Sequence, residues 1–261
     1  MPGRSVSALE AGFRELRAAV YRGDGRAALA ALGPHALGEV PQYAGDGILI
    51  ALAQGVDGAV VQATRVVSTL RERDLDGDAE LADEIEAALG RGPGPALRAL
   101  PVDLDDLSVA LEGDPMLTGG RIDLRTGIVH QAGPLFESDT FDDELNDEQH
   151  EPADVAERAE ADERRDGGER WLHFDSLGSR PGYEDMIDFL ATVDDEALAG
   201  RLERALGGRG AFRRFKDALA EAPDQLERFF RFTDDRRRGR ARRWMAESGL
   251  CPAVPTGPAP A

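Results

Sequence analysis

The chain has 261 residues, of which 41% are hydrophobic and 31% are charged, and its formal net charge is −19. This length suits one large or two modest globular domains with a proper core. The single cysteine excludes an internal disulfide and fits a reducing compartment, and the sequence shows neither a signal-peptide pattern nor a run of about eighteen apolar residues. We therefore expect a soluble, cytoplasmic protein without membrane contact.

Charge is distributed unevenly along the chain. Residues 136–169 contain 15 Asp and Glu against 3 Arg, whereas residues 201–243 contain 14 basic residues against 7 acidic ones. Thirty of the 31 basic residues are arginines, and the one lysine, Lys216, lies in the second of these segments. One chain therefore carries both an acidic and a basic segment.

Residues 1–100 carry apolar side chains at helical spacing, interrupted by glycine-containing breaks. Each stretch predicts a short helix, and Gly90 ends the last one. A Gly-Pro-Gly-Pro sequence at residues 92–95 marks the boundary that follows. We expect an all-helical N-terminal module over residues 1–100, with helices around residues 9–20, 28–32, 48–52, 58–73 and 81–89.

The second module, residues 101–250, begins with a helix for which Asp103 is a suitable N-cap. Residues 121–130 alternate around Thr126 and Gly127, which predicts a β-hairpin. Residues 171–175 alternate again and supply the third strand that a stable hairpin needs. The predicted fold class is α+β, in which the helical N-terminal module is followed by a small antiparallel sheet of about three strands packed against several helices.

The remaining helices are predicted from their starts and apolar stripes. Ser179 precedes the first of them, and residues 198–206 form the second. In the third, Phe212 and Phe215 are spaced so that both rings face the interior, with Lys216 at the rim of that buried face. The spacing of Arg213 and Asp217 predicts an exposed pair on the same helix. Two last helices are expected on either side of residues 234–239.

Two segments are expected to lie outside the fold. Residues 137–169 are acidic with few apolar side chains, so they cannot offset their ordering entropy by burial and predict a disordered linker. Residues 251–261 predict a disordered tail because closely spaced prolines prevent helix formation and cannot donate to a sheet.

Three ordered motifs carry a resemblance to a known family. Residues 122–127 read Ile-Asp-Leu-Arg-Thr-Gly, residues 179–189 read Ser-Arg-Pro-Gly-Tyr-Glu-Asp-Met-Ile-Asp-Phe, and residues 211–217 read Ala-Phe-Arg-Arg-Phe-Lys-Asp. Together they resemble a bacterial family of uncharacterised proteins over residues 103–250. The helical first hundred residues look like an extension in a high-GC actinobacterial member. The resemblance implies no activity, substrate or cofactor, and it carries no catalytic residues over to this chain.

The basic C-terminal region is a candidate surface for phosphates or acidic partners, because arginines form charge-assisted hydrogen bonds. The alternative is that these side chains are solvated and paired with neighbouring carboxylates, as the acidic chain favours. A third possibility is that the acidic linker folds back on the basic face. The basic residues concerned are Arg213, Arg214, Lys216, Arg236, Arg237, Arg238, Arg240, Arg242 and Arg243.

The turn before the Phe212 helix is the best candidate site for a small anion, since a helix N-terminus offers free backbone N–H groups. The alternative is a plain C-cap followed by a turn. The predicted anion- or partner-binding residues are Arg209, Gly210, Arg213, Arg214 and Lys216. Four further side chains could line the same cleft: His173, Asp175, Tyr183 and Glu184.

Metal and cofactor sites find little support in the sequence. The four histidines, His35, His130, His150 and His173, have no ligand spacing. Residues 74–78 begin like a calcium loop, but Ala79 stands where the pattern needs glycine, so we expect a helix start instead, with Asp78 as its cap. We expect no metal and no cofactor.

The sequence favours a non-enzymatic interaction or regulatory protein that uses the arginine-rich C-terminal helices. Its partner would be a protein or a nucleic acid, with intramolecular contact to the acidic linker as a further possibility. The alternative is an enzyme that acts on an anionic, phosphate-bearing small substrate bound near residues 210–216. The sequence leaves both interpretations open.

Overall fold

The computed structural model describes residues 3–32, 39–112, 119–131 and 170–255. Ten helices and five strands lie in these ranges, and the predicted α+β class is confirmed. The helices are α1 (Gly3–Arg22), α2 (Gly25–Ala31), α3 (Pro41–Ala53), α4 (Ala59–Arg73), α5 (Asp78–Ala88), α6 (Leu104–Glu112), α7 (Arg180–Leu190), α8 (Glu196–Leu206), α9 (Ala211–Ala220) and α10 (Pro223–Glu247). The strands are β1 (Arg98–Leu100), β2 (Gly119–Asp123), β3 (Val129–Gln131), β4 (Trp171–Asp175) and β5 (Leu250–Pro252).

Helices α1 to α5 enclose one apolar core. Leu16 of α1, Ile48 of α3 and Leu81 of α5 are fully buried in it. The helix predicted around residues 48–52 is α3, whose residues are buried from Pro41 to Ala51. A helix that is apolar on most sides is stable only where neighbours cover it, and α1, α2, α4 and α5 all contact α3.

The start of α5 differs from its prediction. Gly77, at a φ of 79°, is the N-cap residue, and the side chain of Asp78 turns inward. Its carboxylate accepts hydrogen bonds from Gln42 Nε2 at 2.8 Å and from Arg73 Nε at 2.8 Å. The prediction that Asp78 caps this helix is wrong, because its carboxylate is the buried counter-charge of Arg73.

The predicted hairpin and third strand form one antiparallel sheet with the order β3-β2-β4. Ile122 in the central strand lies opposite Val129 on one side and Leu172 on the other. Gly127, at a φ of 77°, closes the turn between β2 and β3. The buried Ile122 side chain joins the core formed by α6 and the second half of α10, so the sheet packs on these two helices.

A third core joins α7, α8 and α9 to the first half of α10. The ring centroids of Phe189 and Phe229 are 5.1 Å apart, and those of Phe215 and Phe229 are 5.2 Å apart. Phe212 was expected in this core but is 40% exposed, because α9 buries the stripe of Ala211, Phe215 and Leu219 instead. This part of the prediction is wrong, and Phe212 contacts the surface of α7.

The last two predicted helices are one continuous helix, α10, of 25 residues. Gly239 remains helical at the expected break. A Cβ atom built on it would lie 2.2 Å from the backbone oxygen of Asp76, so the absence of a side chain lets the loop before α5 approach α10. The helix continues through Gly239 because the glycine is needed here for close packing and not for a turn.

The start of the predicted tail is ordered as β5. Cys251 and Pro252 pair in parallel with Ala99 and Leu100 of β1, and the backbone N–H of Ala253 donates to the Leu100 oxygen at 2.8 Å. The expectation of a disordered tail from residue 251 is therefore corrected for residues 251–252. The expectation that residues 1–100 are all helical is likewise corrected for β1, because Arg98–Leu100 pair with β5. The acidic linker at 137–169 and the tail residues 256–261 lie outside the described residues.

Candidate functional site

Several arginines of α10 point into the protein. The expectation that they form an exposed phosphate-binding face is wrong for Arg238, Arg240 and Arg242, which are 7%, 8% and 1% exposed. Their guanidinium groups pair with carboxylates on other helices, since a buried charge must be compensated. For Arg240 the partner is Asp185 of α7, with two hydrogen bonds of 2.9 Å. These cations therefore connect helices of the same chain.

Arg238 and Arg242, one helical turn apart, face α3. Arg238 Nε donates to Asp46 at 2.6 Å, and its Nη1 donates to Asp105 at 2.7 Å. Arg242 Nη2 donates to the other oxygen of Asp46, and its Nη1 donates to Glu84 at 2.9 Å. Two cations thus alternate with three carboxylates across the junction between the N-terminal helices and the rest of the chain.

Arg17 of α1 extends this arrangement towards solvent. Its Nε donates to Asp105 at 3.0 Å, and the Tyr43 hydroxyl donates to the same carboxylate at 2.7 Å. The Arg238 guanidinium carbon lies 4.5 Å from the centroid of the Tyr43 ring. We call the six alternating charges the ion-pair row, which consists of Arg17, Asp105, Arg238, Asp46, Arg242 and Glu84.

Burial and pairing act in opposite directions on the pKa values of these groups. Burial favours a raised pKa for Asp46, but Arg242 and Arg238 outweigh it and hold the pKa of Asp46 below its ordinary value. Burial raises the pKa of Glu84, and its one guanidinium partner, Arg242, offsets this only in part. Burial also raises the pKa of Tyr43 far above its ordinary range, so this hydroxyl remains a donor. Asp46 is thus ionised and has a structural role, whereas the single guanidinium partner of Glu84 does not fully offset the effect of burial on its carboxylate.

A second buried cluster of charges lies beside the ion-pair row. Asp235 of α10 accepts from the backbone N–H of Gln42 at 2.8 Å and from Arg73 Nη1 at 2.7 Å. Gln42 in turn accepts from Arg242 Nε at 3.1 Å. Because both clusters join α3 to α10, the helical N-terminal module and α10 share one polar interface.

The ion-pair row forms the floor of a cleft of about 440 Å³. Its walls are apolar and come from distant parts of the chain, including Val20 of α1, Leu49 of α3, Val102 after β1 and Val254 after β5. Tyr21 stands at the rim and is 80% exposed. The cleft therefore combines an apolar enclosure with a charged floor, which is the usual composition of a small-molecule site.

A second cavity, of about 380 Å³, lies between the loop before α5 and α10. Asp76 of that loop pairs with Arg243 Nη1 at 2.6 Å. The segment that resembles the start of a calcium loop, residues 74–77, lines this cavity. No cluster of three or more metal-ligating side chains occurs among the residues that the structure describes.

Arg214, one residue of the predicted anion site at the start of α9, is bonded to the backbone. Arg214 donates to the backbone oxygens of Ala205, Gly207, Gly208 and Arg209, so its guanidinium caps the end of α8. The cap neutralises carbonyl groups that α8 leaves without partners. Arg214 is therefore a structural group.

The remaining predicted residues lie on the exposed side of α9 and its preceding turn. Arg213 Nε is 3.8 Å from Asp217, and both side chains are largely exposed, as the spacing predicted. Arg209 and Lys216 are exposed, and neither forms an ion pair with any other described residue. Gly210, at a φ of 78°, is the N-cap of α9.

The four additional cleft candidates are not equivalent. The Tyr183 hydroxyl donates to the backbone oxygen of Leu206 at 3.3 Å, which places Tyr183 beside the turn between α8 and α9. Glu184 pairs with Arg180 on its own helix at 2.9 Å. His173 and Asp175 are exposed on β4. Among the described contacts, those of Tyr183 alone place one of the four at the predicted turn.

Cys251 lies in β5 and is half-buried. Burial raises the pKa of its thiol, and the nearby charge of Glu84 adds to this effect. Little thiolate is present at neutral pH, so the chemistry of this cysteine fits a structural position. No described helix is long and apolar enough to cross a membrane.

The pairing of the residues in the ion-pair row was not predicted from the sequence. The one available signal was Asp46 in the middle of the apolar stretch around Ile48, because a carboxylate in a buried helix requires a partner. Nothing local identified the partner, since Arg242 lies 196 residues further along the chain.

Comparisons with known proteins agree with the resemblance seen in the motifs. Residues 145–256 match the uncharacterised protein family UPF0158. The chain is also 28% identical over 163 residues to a UPF0158 protein of Pseudomonas aeruginosa, across 62% of this chain and 92% of that protein. No solved structure matches the chain. The prediction of an uncharacterised family is confirmed, while the actinobacterial origin stays a prediction. The segment from β4 to β5, which lies within residues 145–256, is thus similar to the uncharacterised family UPF0158.

Proposed function

We propose that this protein is a non-enzymatic, cytoplasmic interaction or regulatory protein that docks an acidic segment of a partner protein between α7 and α9. The observation that carries the proposal is an exposed aromatic ring, Phe212, near three exposed basic residues, of which Arg209 and Lys216 form no ion pair with a described residue. We call this region the α7–α9 surface. It consists of Tyr183, Ile187, Arg209, Phe212, Arg213 and Lys216.

The α7–α9 surface has an apolar centre. Tyr183, Ile187 and Phe212 are 37%, 45% and 40% exposed. Ile187 follows Tyr183 by one helical turn, and the Phe212 ring lies against Gly182, since a Cβ atom built on that glycine would be 3.2 Å from Phe212 Cε1. Clustered exposed rings of this kind are typical of protein contacts, whereas single exposed apolar residues are not.

The rim of the surface is basic. Arg209 and Lys216 are free of ion pairs with described residues, and the pair between Arg213 and Asp217 is exposed enough to contribute little. An acidic peptide with an apolar side chain would therefore satisfy both the rim and the centre. Nucleic acid fits less well, since buried α10 arginines cannot contact phosphates and the chain as a whole is acidic.

The acidic linker of the same chain has the composition of such a ligand. Residues 137–169 combine a high density of Asp and Glu with Phe141 and Leu145. We include this linker in the proposal as an intramolecular competitor of the external partner. The enzymatic alternative near residues 210–216 has less support, because the guanidinium of Arg214 is occupied by backbone oxygens.

The proposal can be tested with a fluorescent peptide of residues 137–150, whose binding is followed by anisotropy. The peptide should bind a chain lacking residues 138–168 more tightly than the intact chain. The double variant Arg213→Ala/Lys216→Ala should weaken binding about tenfold, since each exposed charge contributes about 0.5–1 kcal/mol. The matched control is Arg22→Ala/Arg26→Ala, which removes two exposed cations from α1 and α2.

Two results would contradict the proposal. Equal loss of binding in the two double variants would show that only net charge matters. Tighter binding of a duplex oligonucleotide than of the peptide, lost in the same Arg213 and Lys216 variant, would identify a nucleic-acid surface instead. Phe212→Ala separates these cases further, because removing the ring should weaken binding of the peptide and leave duplex binding unchanged.

A further inference from the structure

We propose that the cleft above the ion-pair row binds a small organic cation, an ammonium or guanidinium group carried on an apolar body. The site is separate from the α7–α9 surface, and either proposal can fail without the other. It is built from five parts of the chain: α1, α3, α5, the segment around β1 and α6, and the end of α10 with the residues after β5.

The dimensions and walls of the cleft suit a small molecule. Its volume of about 440 Å³ falls within the range of about 300–1,000 Å³ typical of ligand sites. Leu49, Val102 and Val254 supply apolar wall surface. An apolar body of a few carbon atoms would be desolvated there, and a charged group on it would reach the floor.

Between Asp105 and Glu84, the floor exposes its carboxylates more than its guanidinium groups. The side chains of Arg238 and Arg242 are 8% and 1% exposed, whereas those of Asp46, Glu84 and Asp105 are 11%, 12% and 25% exposed. The carboxylates therefore lie nearer to the open side of the row than the buried guanidinium groups. A ligand that supplies N–H donors matches this inner part of the floor, whereas the Arg17 guanidinium, 48% exposed at the outer end of the row, is paired with Asp105.

Hydrogen-bonding capacity points the same way. All three nitrogens of Arg242 donate within the protein, to Gln42, Glu84 and Asp46. Glu84 accepts from Arg242 through Oε2, and its other oxygen, Oε1, receives no hydrogen bond from the residues that the structure describes. At its Glu84 end, the floor therefore has an acceptor without a described donor and no free N–H group on Arg242, whereas Arg238 Nη2, further along the row, donates to no described residue.

The residues that line the cleft carry a net charge of −1. They include four acidic residues and three arginines, and a ligand with one positive charge would neutralise them. The fourth acidic residue is Asp103, beside Asp105 at the start of α6. The incomplete compensation of Glu84, whose pKa is raised by burial, is consistent with this excess. A bound cation close to Glu84 would lower that pKa.

Tyr21 supplies a second recognition element. Its ring is 80% exposed at the rim of the cleft. A tyrosine face attracts ammonium and guanidinium groups within about 6 Å of its centroid. Anions gain nothing from this face, so the rim and the floor select the same charge.

The test uses the full chain and three matched probes that differ in charge: benzylamine, benzyl alcohol and benzoate. Isothermal titration calorimetry at low ionic strength should detect binding of benzylamine about tenfold tighter than that of benzyl alcohol, as one charge-assisted hydrogen bond provides. Benzoate should not bind. Binding of benzoate as tight as that of benzylamine, or tighter, would overturn the proposal. Absence of benzylamine binding at about 10 mM would overturn it too, because this is the weakest dissociation constant expected for one such contact combined with an apolar ring.

Two variants locate the site. Glu84→Gln should weaken benzylamine binding about tenfold, whereas Glu86→Gln on the same helix, whose carboxylate pairs with Arg71 outside the cleft, should leave it unchanged. Tyr21→Ala should weaken binding about threefold. Because Tyr21 is exposed, this variant keeps the test valid if Glu84→Gln fails to fold. Unchanged binding in Tyr21→Ala together with equal effects of the two glutamine variants would refute the assignment.

Discussion

Replacing Asp46 by asparagine should lower the free energy of unfolding by about 3–5 kcal/mol. Asp46 is the central carboxylate of the ion-pair row and receives Arg238 Nε at 2.6 Å and Arg242 Nη2 on its second oxygen. Asparagine has the same shape, but its amide offers one acceptor, and its NH2 group points donors at the other guanidinium. One charge-assisted hydrogen bond, of about 1.5–3 kcal/mol, is lost outright. The rest of the cost comes from two buried cations that lose their shared counter-charge.

The loss is large compared with the total stability of about 5–15 kcal/mol expected of a folded protein. It can be measured by urea unfolding followed by circular dichroism, where the midpoint should fall without a change in slope. The matched control is Asp217→Asn, which removes the same charge from an exposed pair and should cost less than about 0.5 kcal/mol. Equal costs for the two variants would refute the reasoning, because the ion-pair row would then be as well solvated as the surface of α9.

The same substitution has a defined dependence on pH. Arg242 and Arg238 hold the pKa of Asp46 below its ordinary value, so the folded state binds this proton less tightly than the unfolded state. The stability that Asp46 contributes is complete above about pH 4 and is lost as the pH falls through the lower, folded-state pKa. The difference between wild type and Asp46→Asn should therefore shrink in acid. A difference that grows in acid would contradict the direction of the shift.

Two other substitutions test the packing of α10 and the turn of the sheet. Gly239→Ala should destabilise the protein by about 1–3 kcal/mol in urea unfolding, since its Cβ would lie 2.2 Å from the Asp76 backbone oxygen. The control, Gly200→Ala in α8, has space for a methyl group and should stabilise the protein by about 0.5–1 kcal/mol. A larger loss of stability in Gly200→Ala than in Gly239→Ala would contradict this packing. Asp123→Asn should cost about 2 kcal/mol at pH 7, because the Arg170 guanidinium lowers the pKa of Asp123 to about 2. In an acid titration of stability this cost should disappear between about pH 4 and pH 2, and a cost that persists at pH 2 would show that the charge is not its source.

Features that depend on near neighbours could be predicted from the sequence. The hairpin formed as expected because the alternation of Ile122 and Leu124 and the glycine at residue 127 act within a few residues. The α3 helix was predicted for the same reason, from the apolar stretch around Ile48. The exposed pair of Arg213 and Asp217 followed from their spacing of four on one helix.

Features that depend on distant partners could not be predicted. The arginines around residue 238 looked like a solvated basic face, because the sequence does not show that Asp46, Asp105 and Asp185 meet them across the core. A phenylalanine at a helical spacing from other apolar residues looked buried, yet Phe212 lies at the edge of the stripe that α9 presents to its neighbours. In both cases the local pattern was compatible with burial and exposure alike.

By itself the sequence determined the N-terminal helices, the small antiparallel sheet and the family resemblance of the C-terminal region, since helical periodicity, strand alternation and motifs are properties of contiguous residues. Only the tertiary structure decided which charges are buried and which remain free. An arginine has the same local signature in both settings, and its environment is set by carboxylates up to 196 residues away. For that reason the proposed sites are the cleft above the buried arginines of α10 and the α7–α9 surface, and not the arginines of α10 themselves.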